Sequence, residues 1–215
     1  MGTGVQLAAV LLAVLVSAPI SLALGQVRVG FYGGASISTL GGQDADDPGS
    51  RTAAQGGGFV VIPLSRVVSV RPGVAFVQKG AEEEFQGVTA RLALSYLELP
   101  VLVQFTIPSD VSVAAYAIAG PVFGLEFLCD FEVESQQGAA SAECGSPLLQ
   151  GAFPTKSADV SILFGGGVIL APQNRASFLA QITYEVGVSS IDDSTPAFDV
   201  KNRAFGLSVG VLFTF

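Results

Sequence analysis

The chain has 215 residues, of which half are apolar and 13% charged, with a formal net charge of −8 and no histidine. This charge, with no basic stripe, argues against nucleic acid as a partner, because such binding places Lys and Arg opposite phosphates. The lack of histidine excludes Ser–His–Asp and Cys–His hydrolysis and histidine-bearing zinc sites. We expect no cofactor, no metal site and no enzyme activity, in a chain long enough for one sizeable domain.

The N-terminus has the pattern of a secretory signal peptide. A hydrophobic core over residues 5–16 is followed by Pro19, and the small residues Ala23 and Gly25 precede Gln26. The first residues contain no Lys or Arg, and a retained anchor stays open as an alternative because a run of about 20 apolar residues can span a bilayer. We predict a signal peptide over 1–25, export through the Sec route, and a mature domain over 26–215.

From Gln26 onwards, apolar and polar residues alternate with period two, which is typical of strands with two different faces. Eight strands are predicted, at about residues 27–38, 56–64, 67–79, 91–107, 111–128, 157–171, 176–189 and 201–215. Short turns that begin at Pro63, Pro108 and Pro172 alternate with longer connections over 39–55, 80–90, 129–156 and 190–200. The longer connections hold 13 of the 18 acidic residues. An up-and-down order would therefore place all acidic loops at one end and both termini at the other.

The segment YLELPVLVQF, residues 96–105, shows the choice between two kinds of barrel. A soluble lipocalin-like barrel turns its apolar face inward, whereas an outer-membrane barrel turns that face to lipid. The opposite faces of these strands are rich in Gly, Ser, Ala and Thr rather than in the Lys and Glu of a solvated surface. The pattern favours an all-β, eight-stranded, antiparallel up-and-down transmembrane β-barrel, with Glu98 inside and Leu97 and Leu99 outside.

The ending AFGLSVGVLFTF resembles the C-terminal signature of bacterial outer-membrane β-barrels, in which aromatic or apolar residues precede a terminal Phe at every second position. The resemblance implies recognition by the barrel-assembly machinery through Leu207, Val209, Val211, Phe213 and Phe215. The stretches VRPGVAFVQKGAEE, LSYLELPVLVQF, AAYAIAGPVFGLEF and VKNRAFGLSVGVLF look like the outer-membrane β-barrel domain (PorT-like, "porin family protein") common in Bacteroidetes-type bacteria. The resemblance covers nearly all of 27–215 and specifies a fold rather than an activity.

Projection of the strands predicts a charge network in the barrel lumen, formed by Arg28, Arg71, Glu98, Glu126 and Glu185. In some registers Tyr32, Tyr96, Gln104, Tyr116, Asp159 and Gln181 lie nearby. Unpaired charges would be costly there, so we expect pairing, with Arg28 or Arg71 neutralising Glu98. Cys129 and Cys144 are expected to form a disulfide in an exported protein, although their spacing leaves free thiols open.

These features predict a monomeric protein of the bacterial outer membrane with periplasmic termini, extracellular acidic loops and lipid as its surroundings. We expect a structural or surface-interaction role with a side-chain-filled interior. The alternatives are a narrow porin-like channel for small solutes and a soluble, secreted ligand-binding barrel. The acidic loops could bind divalent cations, but a solvated surface explains them without a ligand.

Overall fold

The computed structural model describes residues 26–41, 49–85, 87–107, 112–135, 138–144, 157–191 and 200–215. The predicted signal peptide, the turn that begins at Pro108 and the acidic residues Asp44, Asp46, Asp47, Asp192, Asp193 and Asp199 lie outside these residues. Within the described ranges no helix is long and apolar enough to cross a membrane.

Nine antiparallel strands make up the described fold. They are β1 (Arg28–Gly41), β2 (Arg51–Pro63), β3 (Val68–Phe85), β4 (Val88–Thr106), β5 (Val113–Ser135), β6 (Gly138–Glu143), β7 (Ala158–Leu170), β8 (Ala176–Gly187) and β9 (Lys201–Thr214). Eight of them form a closed ring, because β1 pairs with β9, β4 pairs with β5, and β5 pairs with β7. The result is the predicted eight-stranded up-and-down barrel, with β6 as an additional strand on β5.

The alternation seen in the sequence matches the two surfaces of the barrel. On β4, Leu97, Leu99 and Phe105 are exposed, whereas Glu98 and Gln104 between them are buried. The outer surface of the ring carries a belt of large apolar side chains, which includes Phe31, Val74, Phe123, Ile162, Phe178, Leu207 and Val209. Apolar residues that face outward in such a belt require hydrocarbon rather than water around them.

The two ends of the barrel differ. The "terminal end" carries both termini of the barrel domain and the short connections 64–67 and 171–175. At the opposite "loop end", β3, β4 and β5 reach 18, 19 and 23 residues, well beyond the roughly 9–11 that a tilted membrane strand needs. Their far ends and β6 form a four-stranded sheet that projects past the apolar belt, which we call the extension (residues 80–95 and 128–144).

The extension corrects two of the sequence predictions. Residues 80–90 were expected to be a loop, but β3 and β4 continue to a tight hairpin in which Phe85 pairs with Val88. The predicted 129–156 connection likewise contains the end of β5 and the whole of β6. Acidic side chains made both segments resemble loops, although alternate positions of a solvated two-faced sheet accept charge as readily as a loop does.

A charge placed in the outward belt should destabilise the barrel. Val209 is 67% exposed near the middle of β9, so Val209→Arg would put a guanidinium into hydrocarbon at a cost of about 2–4 kcal/mol. The free energy of unfolding, measured by urea titration in lipid vesicles, should fall by that amount. Ala140→Arg, at an exposed position of β6, is the matched control and should change stability by less than about 0.5 kcal/mol. Equal effects of the two substitutions would contradict the membrane position of the belt.

Candidate functional site: the barrel interior

A lysine between two glutamates occupies the centre of the barrel. Lys79 Nζ lies 2.6 Å from Glu98 Oε1 and 2.5 Å from Glu185 Oε1. Ser161 Oγ also donates a hydrogen bond to Glu185 Oε1. Lys79 is 1% exposed, and both glutamates are nearly as buried. Burial of a charged group costs free energy, and the attraction between the ammonium group and the carboxylates compensates this cost.

Glu98 therefore lies in the lumen as the sequence predicted, but its partner is a lysine rather than Arg28 or Arg71. Lys79 was predicted to end its strand, which is a position where a charge reaches water. The structure continues β3 to Phe85 and so places Lys79 inside the barrel, on the same inward face as Arg71 and Ser69. The alternation of β3 could have found Lys79, because it shares the odd-numbered polar face.

Arg71 forms a second buried group nearer the terminal end. One terminal nitrogen donates to Gln181 Oε1 at 3.0 Å, and Tyr116 Oη donates to the same oxygen at 3.0 Å. The guanidinium carbon lies 3.5 Å from the centre of the Phe59 ring and 5.8 Å from that of Tyr116. Arg71 is thus held by an amide and two aromatic rings, and no carboxylate of the described residues lies within ion-pair distance.

Close packing around Arg71 explains a glycine in β7. A Cβ atom at Gly167 would lie 2.8 Å from Tyr116 Oη and 2.2 Å from the Ala180 carbonyl oxygen. The Gly165–Gly167 run lies within β7, and Gly167 lets the Tyr116 side chain and the β8 backbone approach the strand closely.

A third polar group lies towards the loop end. Asn202 Nδ2 donates to Asp159 Oδ2 at 3.0 Å and to Tyr96 Oη at 3.2 Å. Tyr96 Oη in turn donates to Glu126 Oε2 at 3.2 Å, and Ser189 Oγ donates to Asp159 Oδ1 at 2.7 Å. Of the predicted network, the structure brings Glu98 and Glu185 together on Lys79 and leaves Arg71 and Glu126 in separate groups.

Two apolar layers pack against these polar groups, and Tyr116 and Tyr96 belong to a layer and a polar group at once. The terminal-side layer consists of Phe59, Val61, Leu102, Tyr116, Ile118, Ile169, Leu179 and Leu212. The loop-side layer consists of Leu94, Tyr96 and Ile191, with Leu40, Leu92, Cys129 and Val200 packed against them. Between the layers, next to Tyr32, Gln55 and Glu98, there is a cavity of about 40 Å³. A water needs roughly 10–15 Å³ of such space, so the cavity has room for about three waters.

The other predicted site residues lie outside this core. Arg28 is partly buried at the terminal end, opposite Thr214 on β9. Leu207, Val209, Phe213 and Phe215 face outward from the last strand, and Val211 on the same face is partly buried. Cys129 and Cys144 form a disulfide that joins β5 to the end of β6, with a Cα–Cα distance of 5.4 Å.

The extension carries its own ion pairs. Arg91 on β4 contacts Glu82 on β3 at 2.7 Å and Glu132 on β5 at 3.2 Å. The hydrogen bond from Arg91 lowers the pKa of Glu82. The side chains of Arg91 and Glu82 are each 36% exposed. Because exposed ion pairs contribute little free energy, these pairs align neighbouring strands but add little stability.

A closed antiparallel ring with an apolar outer belt and a polar, filled interior defines an outer-membrane β-barrel protein. The chain belongs to the outer membrane protein beta-barrel domain family, whose model matches residues 17–193. The protein is therefore an outer-membrane protein, and the alternative of a soluble, secreted barrel is wrong.

Solved structures of the same architecture resemble the chain at low identity. Neisserial surface protein A has a TM-score of 0.51 at 13% identity, covering 88% of this chain and 97% of that chain. Ail of Yersinia pestis, in complex with the heparin analogue sucrose octasulfate, has a TM-score of 0.47 at 16% identity, covering 87% and 99%. The first of these supports the barrel fold. No match was found among curated proteins.

Removal of the central cation should destabilise the barrel strongly. Lys79→Met would leave Glu98 and Glu185 buried without their cation, which costs about 3–5 kcal/mol. Adding Glu98→Gln and Glu185→Gln should restore most of the loss, since neutral side chains do not need that cation. Urea unfolding in lipid vesicles measures both effects. Arg91→Met, which breaks an exposed pair instead, should cost at most about 1 kcal/mol; similar losses in the two single variants would refute the central role of Lys79.

Proposed function

We propose that the protein is a non-conducting structural and surface-interaction barrel of the outer membrane, with no enzymatic activity. The observation that carries this proposal is the filled interior, in which buried polar groups pack against two apolar layers. Eight-stranded barrels enclose little more than their own side chains, and a cavity of about 40 Å³ agrees with that rule.

The order of residues along the inward faces argues against a channel. On β4 the inward residues from the terminal end are Gln104, Leu102, Pro100, Glu98, Tyr96 and Leu94; Leu102 belongs to the terminal-side layer, and Tyr96 and Leu94 belong to the loop-side layer. On β8 the inward residues are Ser177, Leu179, Gln181, Thr183 and Glu185, of which Leu179 belongs to the terminal-side layer. A hydrated ion would have to lose its water to pass either layer, which hydrocarbon side chains cannot compensate.

The interior also offers poor conditions for catalysis. The chain contains no histidine, and the buried carboxylates Glu98 and Glu185 are already engaged by Lys79. We infer that these groups hold the strands together rather than act on a substrate.

The difference between the two ends supports an orientation with the terminal end in the periplasm and the extension outside the cell. Outer-membrane barrels have short periplasmic turns and longer extracellular loops. The terminal end has the short connections 64–67 and 171–175, and the opposite end has the extension. In this arrangement we further propose that β9, together with Phe215 directly after it, meets the barrel-assembly machinery during insertion, and that the protein is a monomer.

The extension is the surface we propose for contacts with external partners. Its residues hold seven carboxylates (Glu82, Glu83, Glu84, Asp130, Glu132, Glu134 and Glu143) and one arginine, which gives a net charge of −6. The Cys129–Cys144 disulfide holds its outermost strand in place. A rigid acidic sheet of this kind favours partners with a basic surface.

The outer edge of β6 adds a backbone surface to this acidic sheet. Cys144 N donates to Cys129 O at 3.0 Å, and antiparallel pairing alternates the direction of the backbone groups. Ala139, Ser141 and Glu143 therefore turn their N–H and C=O groups away from β5. Among the described residues no strand pairs with this edge, so it can accept an extended basic segment.

The closed interior predicts no conductance. Purified protein inserted in planar bilayers should give no discrete current steps above those of the empty membrane, because both apolar layers exclude ions. A water-filled porin of 16 strands, inserted in the same bilayers, serves as the positive control for detection. Stable, reproducible single-channel steps from the wild-type protein would exclude the proposed closed barrel and favour the porin-like alternative.

The orientation can be tested by labelling single cysteines in intact cells. Ser141→Cys lies on the exposed β6, and Gln173→Cys lies on the exposed connection at the terminal end. A membrane-impermeant maleimide should label Ser141→Cys in intact cells and label Gln173→Cys after the outer membrane is permeabilised. The disulfide-bonded cysteines of the wild-type protein provide the unlabelled background. The reverse labelling order would show that the proposed orientation is wrong.

A further inference from the structure

A pocket of about 270 Å³ opens at the terminal end of the barrel, below the terminal-side apolar layer. Polar residues from four strands and one connection line this pocket: Arg28, Arg66, Ser69, Thr106 and Thr214. It is separate from the central group of Lys79, because Leu212 follows next along the inward face of β9, and Gln104 and then Leu102 follow along that of β4. None of these side chains belongs to the three polar groups of the barrel interior described above.

Arg28 lines this pocket and has no counter-ion among the described residues. It lies on the inward face of β1, opposite Val61 on β2 and Thr214 on β9, and is partly buried. No ion pair or hydrogen bond within the described part of the chain reaches its guanidinium. The acidic side chains of the lumen lie beyond the apolar layer, and the described residues of the terminal end contain three arginines and no Asp or Glu. A partly desolvated cation without an anion is unfavourable, and an anionic ligand would remove that cost.

Hydroxyl groups beside Arg28 also have no hydrogen-bond acceptor among the described residues. Ser69 is 5% exposed, and its hydroxyl makes no hydrogen bond to a described residue. Thr214 Oγ1 is buried and likewise has no partner among the described residues. Thr106 Oγ1 accepts a hydrogen bond from Gln104 Nε2 at 3.0 Å, which leaves its own proton available. Three hydroxyl donors thus face one pocket with no acceptor assigned to them.

A second arginine approaches the pocket from an ordered turn. Leu64 N and Ser65 N each donate to Val68 O at 2.9 Å, and Val68 N donates to Ser65 Oγ at 3.0 Å. These bonds hold the connection 64–67, and Arg66 on it contributes the second guanidinium. Two like charges at one pocket repel each other, so a ligand with about two negative charges suits the site better than water or a sugar.

We propose that this terminal pocket binds a phosphate group, with Arg28 as its anchor, Arg66 as the second cation, and Ser69, Thr106 and Thr214 as hydroxyl donors. Guanidinium groups bind phosphate oxygens in bidentate fashion, and a phosphate near pH 7 carries close to two charges, about −1.5 to −2. The phosphate could belong to a free anion or to a lipid headgroup at the membrane surface. The site does not depend on whether the barrel conducts or on what the extension binds.

The test compares three arginine-to-glutamine or serine-to-alanine variants with the wild type. Folded protein in detergent and phosphate-free buffer is titrated with inorganic phosphate by calorimetry, with sodium chloride at matched ionic strength as the control titrant. We expect saturable binding to the wild type, a loss of affinity of at least tenfold for Arg28→Gln, and a loss of several-fold for Ser69→Ala. Arg175→Gln removes a charge from the neighbouring pocket at the same end, and its affinity should stay within twofold of the wild type.

A second arm distinguishes a free anion from a lipid. Wild type and variants are reconstituted in phosphatidylcholine vesicles with and without phosphatidic acid, and thermal unfolding is followed by circular dichroism. Binding of inorganic phosphate identifies a free anion, whereas stabilisation by phosphatidic acid alone, lost in Arg28→Gln, identifies a headgroup. The proposal is overturned if neither probe binds, or if Arg28→Gln and Ser69→Ala both behave as the wild type. It is also overturned if Arg175→Gln loses as much affinity as Arg28→Gln, since that result would indicate general charge attraction.

Discussion

Hydrocarbon cannot hydrogen-bond a peptide group, so a sheet that crosses a membrane must leave no open edge. In this protein the pairing of β1 with β9 and of β4 with β5 closes the ring and satisfies that constraint. Closure then sets the other features. It forces every second side chain into a narrow interior, and it turns the remaining ones towards lipid.

The narrow interior explains why charged residues are so closely paired there. Few waters fit between the two apolar layers, so each buried charge needs a partner from the protein itself. Lys79 receives two carboxylates, whereas Arg71 receives an amide oxygen and the faces of aromatic rings. The same packing that satisfies these groups also underlies the proposed closure to ions, so stability and the proposed lack of conductance would have one physical cause.

Beyond the belt, the two ends are free of these constraints and differ in charge and shape. The loop end continues into a sheet whose carboxylates are solvated and whose last strand is held by a disulfide. The terminal end is short, and its described side chains include Arg28, Arg66 and Arg175. A barrel whose two ends differ can bind different partners on the two sides of one membrane. The proposed acidic surface lies at the loop end and the proposed phosphate site at the terminal end, in line with the charges of the two ends.

The sequence by itself determined the strands, their up-and-down order and the direction of their faces. Period two depends only on the chain's own geometry, and residues 96–105 alternate in the structure as the letters indicate. The same rule placed Glu98 and Glu185 in the lumen and the apolar residues of β9 outside. It failed at the loop end, where solvated strands carry the acidic composition of loops.

Only the tertiary structure decided which inward residues meet. A partner across the barrel depends on register, strand tilt and side-chain length, none of which period two contains. Lys79 and Glu185, which are 106 positions apart, meet because the ring brings β3 opposite β8. The terminal pocket also depends on closure of the ring. Closure places the first and last strands side by side and so brings Thr214 next to Arg28, and Ser69 of β3 lines the same pocket.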